Sequence, residues 1–340
     1  VATQGGLEGH DGIAMGIGPE DAFDGVDAGD AFSVEEIVIG CFADESVVAL
    51  VGRGIQIGEE HGDRTLDSLV GDPCVMPVFA HGVDGIRIID MTTTLAGPYG
   101  SQILGDFGAD VIKIEAPKGD AIRNAGPQRN QGMAATFMGC NRNKRSAVLD
   151  LKTSAGKDAL WKLLDTAQVF LHAIRPQKIA ALGFDSASVM ERRPDIVYAA
   201  LHGYHEHGPY GGRPAYDDVI QGEAAITDTF ALRDGNPAMV PSSFVDKNTG
   251  LITANGVLAA IIQNLRTQEG VYLEIGMFEG IVAYNLVEHL YGRMFVPAEG
   301  EAGYARVISK NRRPHATRDG YLCMLPYTDS QWRKFWAIAE

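Results

Sequence analysis

From residue 83 onward, short apolar runs alternate with amphipathic stretches. Gly85-Ile-Arg-Ile-Ile-Asp-Met91 and Ala109-Asp-Val-Ile-Lys-Ile-Glu115 read as strands buried on both faces, with a helix over Gly100–Phe107 between them. Arg145–Leu151, Gln168–His172, Ile196–Leu201 and Val271–Met277 read as further strands. Helices are predicted over Ser154–Ala167, over Lys178–Leu182 with Gly183 as its stop, after Asp246, and over Phe278–Gly292. In the long helix after Asp246, residues Leu251, Ala254, Leu258, Ile261, Ile262 and Leu265 are spaced to form one buried face. The alternation predicts an α/β fold with an open parallel doubly wound (Rossmann-like) sheet. Two strands joined through a helix lie parallel with a right-handed crossover, which puts the turn Leu95-Ala96-Gly97-Pro98 at the carboxyl end of the first strand. Ligands bind at that edge of open α/β sheets.

Composition divides the chain. Residues 1–80 carry sixteen Asp and Glu against two Arg and no Lys, so they hold −14 of the net −15 charge. The acidic total therefore says nothing about partners of the nearly neutral remainder. We expect residues 1–82 to be an acidic Gly/Asp-rich extension outside the fold, 83–295 to be the large α/β domain, and 296–340 to be a linker and the start of a smaller domain. Met76 is a candidate start, with the preceding stretch taking no part in chemistry. Within that stretch Ile37–Cys41 and Val47–Val51 remain open as strands, while Gly52-Arg-Gly54 with Gly58 lacks the helix and acidic residue of a nucleotide loop. Cys41, Cys74, Cys140 and Cys323 fit neither a zinc pattern nor a disulfide framework. No apolar run reaches the ~18–20 residues a bilayer requires, and a reducing cytoplasm is the expected setting, with no membrane or nucleic acid partner.

The wording Ile-Asp-Met-Thr-x-x-Leu-Ala-Gly-Pro-Tyr over Ile89–Tyr99, followed by Leu-Gly-Asp-Phe-Gly-Ala-Asp-Val-Ile-Lys-Ile-Glu-Ala-Pro-x-Gly-Asp up to Asp120, resembles the class III coenzyme A transferases of the CaiB/BaiF type. That family also holds the α-methylacyl-CoA racemases. The resemblance implies an enzyme that takes an acyl-CoA thioester and a small carboxylic acid as substrates and needs no prosthetic group. It further implies a homodimer of interlocked rings. In the family the chain returns to the first domain after the second, so this sequence is expected to be a fragment of a longer protein that self-associates loosely.

The resemblance singles out Asp246 in Ser242-Ser-Phe-Val-Asp-Lys-Asn-Thr-Gly250 as the nucleophile, because the family's aspartate precedes a helix reading Gly-x-x-x-Ala-x-Gly-x-Leu-Ala-Ala, here Gly250–Ala260. From residues alone an N-cap explains the same placement. An ionised aspartate can attack a thioester and carry CoA as its own thioester. Backbone amides of Leu95-Ala96-Gly97 and Thr249-Gly250 are candidate oxyanion donors. Tyr216-Asp217 with Gln221 matches the family's Tyr-Asp-x-x-x-Gln element near the acyl group, although Asp217 or Asp218 also suits a helix cap. A racemase carries His-Asp there and needs two acid/base groups. Tyr216 in place of that His favours transfer over racemisation.

Coenzyme A contacts are expected from Lys118, Arg123, Leu149, Asp150, Lys152, Ile174, Arg175, Lys178, His202 and Tyr204 along the loop ends. Arg175-Pro176 matches part of an Asn-Phe-Arg-Pro-Gly element, with Ala173, Ile174 and Gln177 departing from it. The stretch Gly203-Tyr-His-Glu-His-Gly-Pro-Tyr210 matches the family's Gly-Tyr-Gly-x-x-Gly-Pro-Tyr except at His205, where the family has Gly. His202, His205, Glu206 and His207 lack the helical spacing of a zinc site, so the reading is a solvated loop with no metal. A catalytically silent CoA-binding module and a nucleotide-dependent enzyme on an unrelated α/β fold stand as alternatives.

Overall fold

The structure, a computed structural model, describes residues 81–339 and a strand, β1, at Val48–Val51. Ile37–Cys41, Cys41, Cys74, Met76 and the Gly52–Gly58 loop lie outside the described residues. The chain divides into two units, residues 78–308 in one and 1–77 with 309–340 in the other.

The first unit is built on six strands: β2 (Arg87–Met91), β3 (Asp110–Glu115), β4 (Lys144–Val148), β5 (Val169–His172), β6 (Val197–His202) and β7 (Val271–Gly276). All pairings are parallel, in the order β4-β3-β2-β5-β6-β7. The order reverses between β2 and β5, which is the switch point where a doubly wound sheet opens its ligand crevice.

Both sheet faces are apolar and covered. Ile89, Ile112, Phe170 and Tyr198 pack beneath α3 (Ser154–Leu164), α4 (Pro176–Leu182) and α5 (Ser186–Arg192) through Leu160, Leu164, Ile179 and Val189. Their strand neighbours Ile88, Val111, Val169, Leu171, Val197 and Ala199 face the opposite way, against α1 (Ala96–Asp106) and α8 (Phe244–Thr267). A period of two with apolar residues in both phases is the mark of a strand buried on both sides. Short helices α2 (Ala135–Gly139), α6 (Asp217–Glu223) and α7 (Ile226–Asp234) lie in the connections, and α9 (Met277–His289) follows β7.

Two expectations are corrected here. Ala96-Gly97-Pro98 is the first turn of α1 rather than a turn before it, a position where proline's missing N–H leaves no bond unmade. The buried face of α8 is also rotated from the expected one: Leu251, Ile262 and Leu265 are exposed, while Val245, Thr249, Gly250, Thr253, Ala254, Val257, Ala260 and Ile261 are buried. Small residues line the buried side because α1 packs against it at backbone distance.

In the second unit, β1 pairs antiparallel with β9 (Tyr321–Met324), which pairs in turn with β8 (His315–Ala316), and helix α10 spans Asp329–Ala339. Among the described residues no helix is long and apolar enough to cross a membrane.

Candidate active site

Two helices that touch at glycines build the site. A Cβ at Gly100 of α1 would lie 2.8 Å from the Gly250 carbonyl of α8, and one at Gly250 would lie 2.8 Å from both the Ala96 carbonyl and the Tyr99 ring. Only glycine permits that approach. The contact sets the first turn of α1 beside the stretch of α8 one turn after Asp246. At 24 residues α8 is about 36 Å long, against about 20 Å for the six-residue β7. Since α8 runs back to β7, its first turns project beyond the carboxyl edge of the sheet.

The start of α1 is anchored from beneath. Asp90 at the end of β2 is fully buried and accepts from the Thr92 amide at 2.8 Å, the Thr92 hydroxyl, the Ser101 hydroxyl at 2.6 Å and Lys144 Nζ at 3.2 Å. Burial alone would raise the Asp90 pKa, but Lys144, Lys113 and the two hydroxyls hold it below its ordinary value. Lys144 Nζ also reaches the Pro98 carbonyl at 2.8 Å, and Lys113 Nζ reaches the Thr92 carbonyl at 2.8 Å and Asp120 Oδ2 at 2.9 Å. Four buried charges thus fix the backbone that leads into Leu95, Ala96 and Gly97. Sequence reading missed this network; a lysine in the middle of the apolar run Val111–Ile114 was its signal.

Asp246 is the third residue of α8, with Ser243 at the cap position, so neither the placement ahead of the helix nor the N-cap role holds. It is half-buried and lines a cleft of about 510 Å³ with Tyr216, Asp217, Asp218, Val240, Pro241, Ser242 and Ser243. Its amide donates to Asp217 Oδ2 at 3.0 Å. Asp217 Oδ1 accepts from Gln221 Nε2 at 2.6 Å, and Gln221 Oε1 accepts from the Val240 amide at 2.8 Å. The Val240 contact fixes the orientation of the buried Gln221 amide, so Asp217 is an acceptor on both oxygens. Tyr216 holds the cap position of α6 and neither neighbouring aspartate caps it; Asp217 reaches Asp246 instead, while Asp218 is exposed.

Burial, followed by the charges of Asp217 and Asp218, pushes the Asp246 carboxyl up to about 6. The start of a helix favours an anion, but here desolvation and two like charges outweigh it. The result is a carboxylate still ionised at neutral pH yet more basic than an ordinary aspartate, which suits a nucleophile.

Thr249 and Gly250 lie inside α8, where their amides belong to the helical ladder, so they are corrected as oxyanion donors. Ala96 and Gly97 keep first-turn amides in α1. The expected CoA contacts fall along the carboxyl edge but divide in exposure. Lys118, Lys152, Arg175 and Lys178 are exposed, and none forms an ion pair among the described residues. Leu149 and Asp150 lead into α3, where the Asp150 carbonyl closes the turn through Thr153, and Ile174 follows β5. Arg123 is taken up by Glu115, with bonds of 2.6 and 2.5 Å, and lies 3.9 Å over the Phe137 ring. His202 and Tyr204 are buried, His202 against Glu274 and Tyr204 with its hydroxyl 2.7 Å from Glu223. These three are placed as internal contacts rather than surface groups for a ligand.

Comparison with known proteins agrees with the fold. The chain is 34% identical over 271 residues to a probable fatty acyl-CoA transferase of Mycobacterium tuberculosis, covering 75% of this chain and 68% of that protein. It is 30% identical to succinate–glutarate CoA-transferase of Agrobacterium fabrum, covering 76% of this chain and 66% of that one. The crystal structure of a CAIB/BAIF family protein from Brucella suis superposes with a TM-score of 0.64 at 30% identity, covering 70% of this chain and 64% of that chain. The chain thus spans about two thirds of the length of these relatives. Residues 83–340 match CoA-transferase family III, and with the parallel sheet and the resemblance in Ile89–Asp120 this makes the chain a member of that family.

Proposed function

We propose that the protein moves coenzyme A from an acyl-CoA thioester to a small carboxylic acid, with Asp246 as the covalent nucleophile. The observation that carries this reading is the raised, half-buried Asp246 carboxylate in an open cleft on the carboxyl side of a doubly wound sheet. One Asp246 oxygen bonds to the acyl carbon and the carbon–sulfur bond breaks, with CoA leaving as thiolate. The thiolate then attacks the Asp246 carbonyl of this mixed anhydride, expelling the donor's carboxylate and leaving an aspartyl-CoA thioester. The acceptor carboxylate attacks that thioester, and the returning thiolate cleaves the second anhydride to release new acyl-CoA. Each step passes through a tetrahedral oxyanion, for which the Ala96 and Gly97 amides in the first turn of α1 are candidate donors. Asp217, held by Gln221, positions the backbone of Asp246.

Proton exchange at the α-carbon is less well supported, because among the described residues those lining the cleft include no imidazole. Tyr216, at 71% exposure, stands at the mouth as a wall for the acyl group. The exposed cations Lys118, Lys152, Arg175 and Lys178 serve the phosphates of CoA in this reading, and a homodimer in a reducing cytoplasm is its expected setting.

Intact-protein mass spectrometry after incubation with succinyl-CoA tests the proposal. A CoA adduct that hydroxylamine removes is expected, and its persistence in Asp246→Asn would move the nucleophile elsewhere.

A further inference from the structure

The loop after β6 does more than turn the chain. His202 ends β6, Glu274 lies on the neighbouring β7 opposite Ala200, and the Glu206 amide reaches back from the loop to Glu274. One ligand atom from each of these three residues lies within 4.8 Å of the other two. His202 Nδ1 is 3.2 Å from Glu274 Oε1, and the Glu206 amide donates to that same oxygen at 2.6 Å. His205 Nε2 is 3.1 Å from the other Glu274 oxygen.

We propose that His202, Glu206 and Glu274 form a divalent cation site, with Zn2+ the best match to the donor set, and that His205 orients Glu274 from outside it.

Charge is the first support. The Glu274 carboxylate is only 9% exposed and Glu206 is half-buried. Among the described residues neither is paired with a lysine or arginine; the only ion-pair partners are the imidazoles of His202 and His205. Two carboxylates this close, away from full solvent, call for a cation.

The imidazole is the second support. His202 is 7% exposed, and the ring nitrogen that faces the cluster is Nδ1, 3.2 Å from Glu274 Oε1. One imidazole and two carboxylates with open positions is a zinc-type donor set, for which ligand bonds of about 2.0–2.2 Å are the norm. An imidazole on the second oxygen of a ligating carboxylate is the usual outer-shell contact. His205 stands where the family resemblance has glycine. Seen from sequence, the cluster looked like a loop because its essential carboxylate, Glu274, comes from a strand some 70 residues on.

The test is equilibrium dialysis of the full chain against Zn2+, with Co2+ as a spectroscopic substitute. The parent is expected to retain one more equivalent of Zn2+ than Glu274→Gln, and His205→Gly to bind that equivalent about 10–100-fold more weakly. Co2+ should give an absorption band in the parent that Glu274→Gln lacks. Should Glu274→Gln fail to fold, Glu206→Gln in the loop carries the same comparison. Equal Zn2+ stoichiometry and affinity in the parent and a folded carboxylate variant would place any bound metal elsewhere and overturn the proposal.

Discussion

The main-chain amide of Asp246 donates to Oδ2 of Asp217 at 3.0 Å, and both aspartates line the same cleft. Removing one charge should therefore retune the other. In Asp217→Asn the one remaining carbonyl oxygen can still accept the Asp246 amide at the expense of the Gln221 hydrogen bond, while the charge repulsion is lost. The Asp246 pKa should fall from about 6 towards 3.8, and the acidic limb of CoA-adduct formation, followed as a function of pH, should move down with it. A limb that stays in place would show that Asp217 does not set the basicity of Asp246.

Asp246→Asn should abolish the adduct and at the same time stabilise the fold. The sign follows from the direction of the shift: the folded protein binds this proton more tightly than the unfolded chain, so stability is lost as pH rises from about 3.8 through about 6. Relative to the parent, the variant should gain little at pH 3.5 and reach its full gain by pH 7. After discounting for the open side of the cleft the gain is about 1–2 kcal/mol. Thermal melts at both pH values measure it.

The helix crossing gives a steric prediction. Gly100→Ala drives a methyl to within 2.8 Å of the Gly250 carbonyl, which should cost about 1–3 kcal/mol and slow adduct formation by displacing α8. Gly139→Ala is the control, since a Cβ there meets nothing within 4 Å. Denaturant melts should separate the two, and equal stabilities would contradict the close contact.

All the proposed site residues fall within the unit spanning Val78–Ile308. A chain starting at Met76 should keep the CoA adduct and its pH dependence. Loss of soluble expression or of the adduct in that truncation would tie residues 1–75 to the fold.

The sheet was legible because parallel strands covered on both faces leave short, dense apolar runs, as in Ile86–Ile89 and Val111–Ile114. The site was legible only in part. Asp217 and Gln221 were visible as an (i, i+4) pair, yet the tie from Asp217 to Asp246 spans 29 residues and depends on where α6 meets α8. The rotated face of α8 misled for a related reason. Periodicity ranks Leu251 and Leu265 above Thr249 and Gly250, whereas packing at a glycine crossing buries the small residues and leaves the large ones outside. Lys113 and Lys144 drew no reading of their own from sequence, although both end in a buried cluster with Asp90 and Asp120.

The elevated carboxyl at the start of α8 has an energetic consequence beyond basicity. In the resting protein the charge on Asp246 is an unfavourable feature of the ground state, opposed by its desolvation and by Asp217. Any reaction that turns this carboxylate into a neutral acyl derivative removes the opposed charge and leaves Asp217 with its two hydrogen bonds intact. In the proposed mechanism the covalent state is thereby brought closer in free energy to the free enzyme. In the proposed mechanism, where Asp246 forms and discards such a linkage in every cycle, this levelling favours running the reaction in either direction.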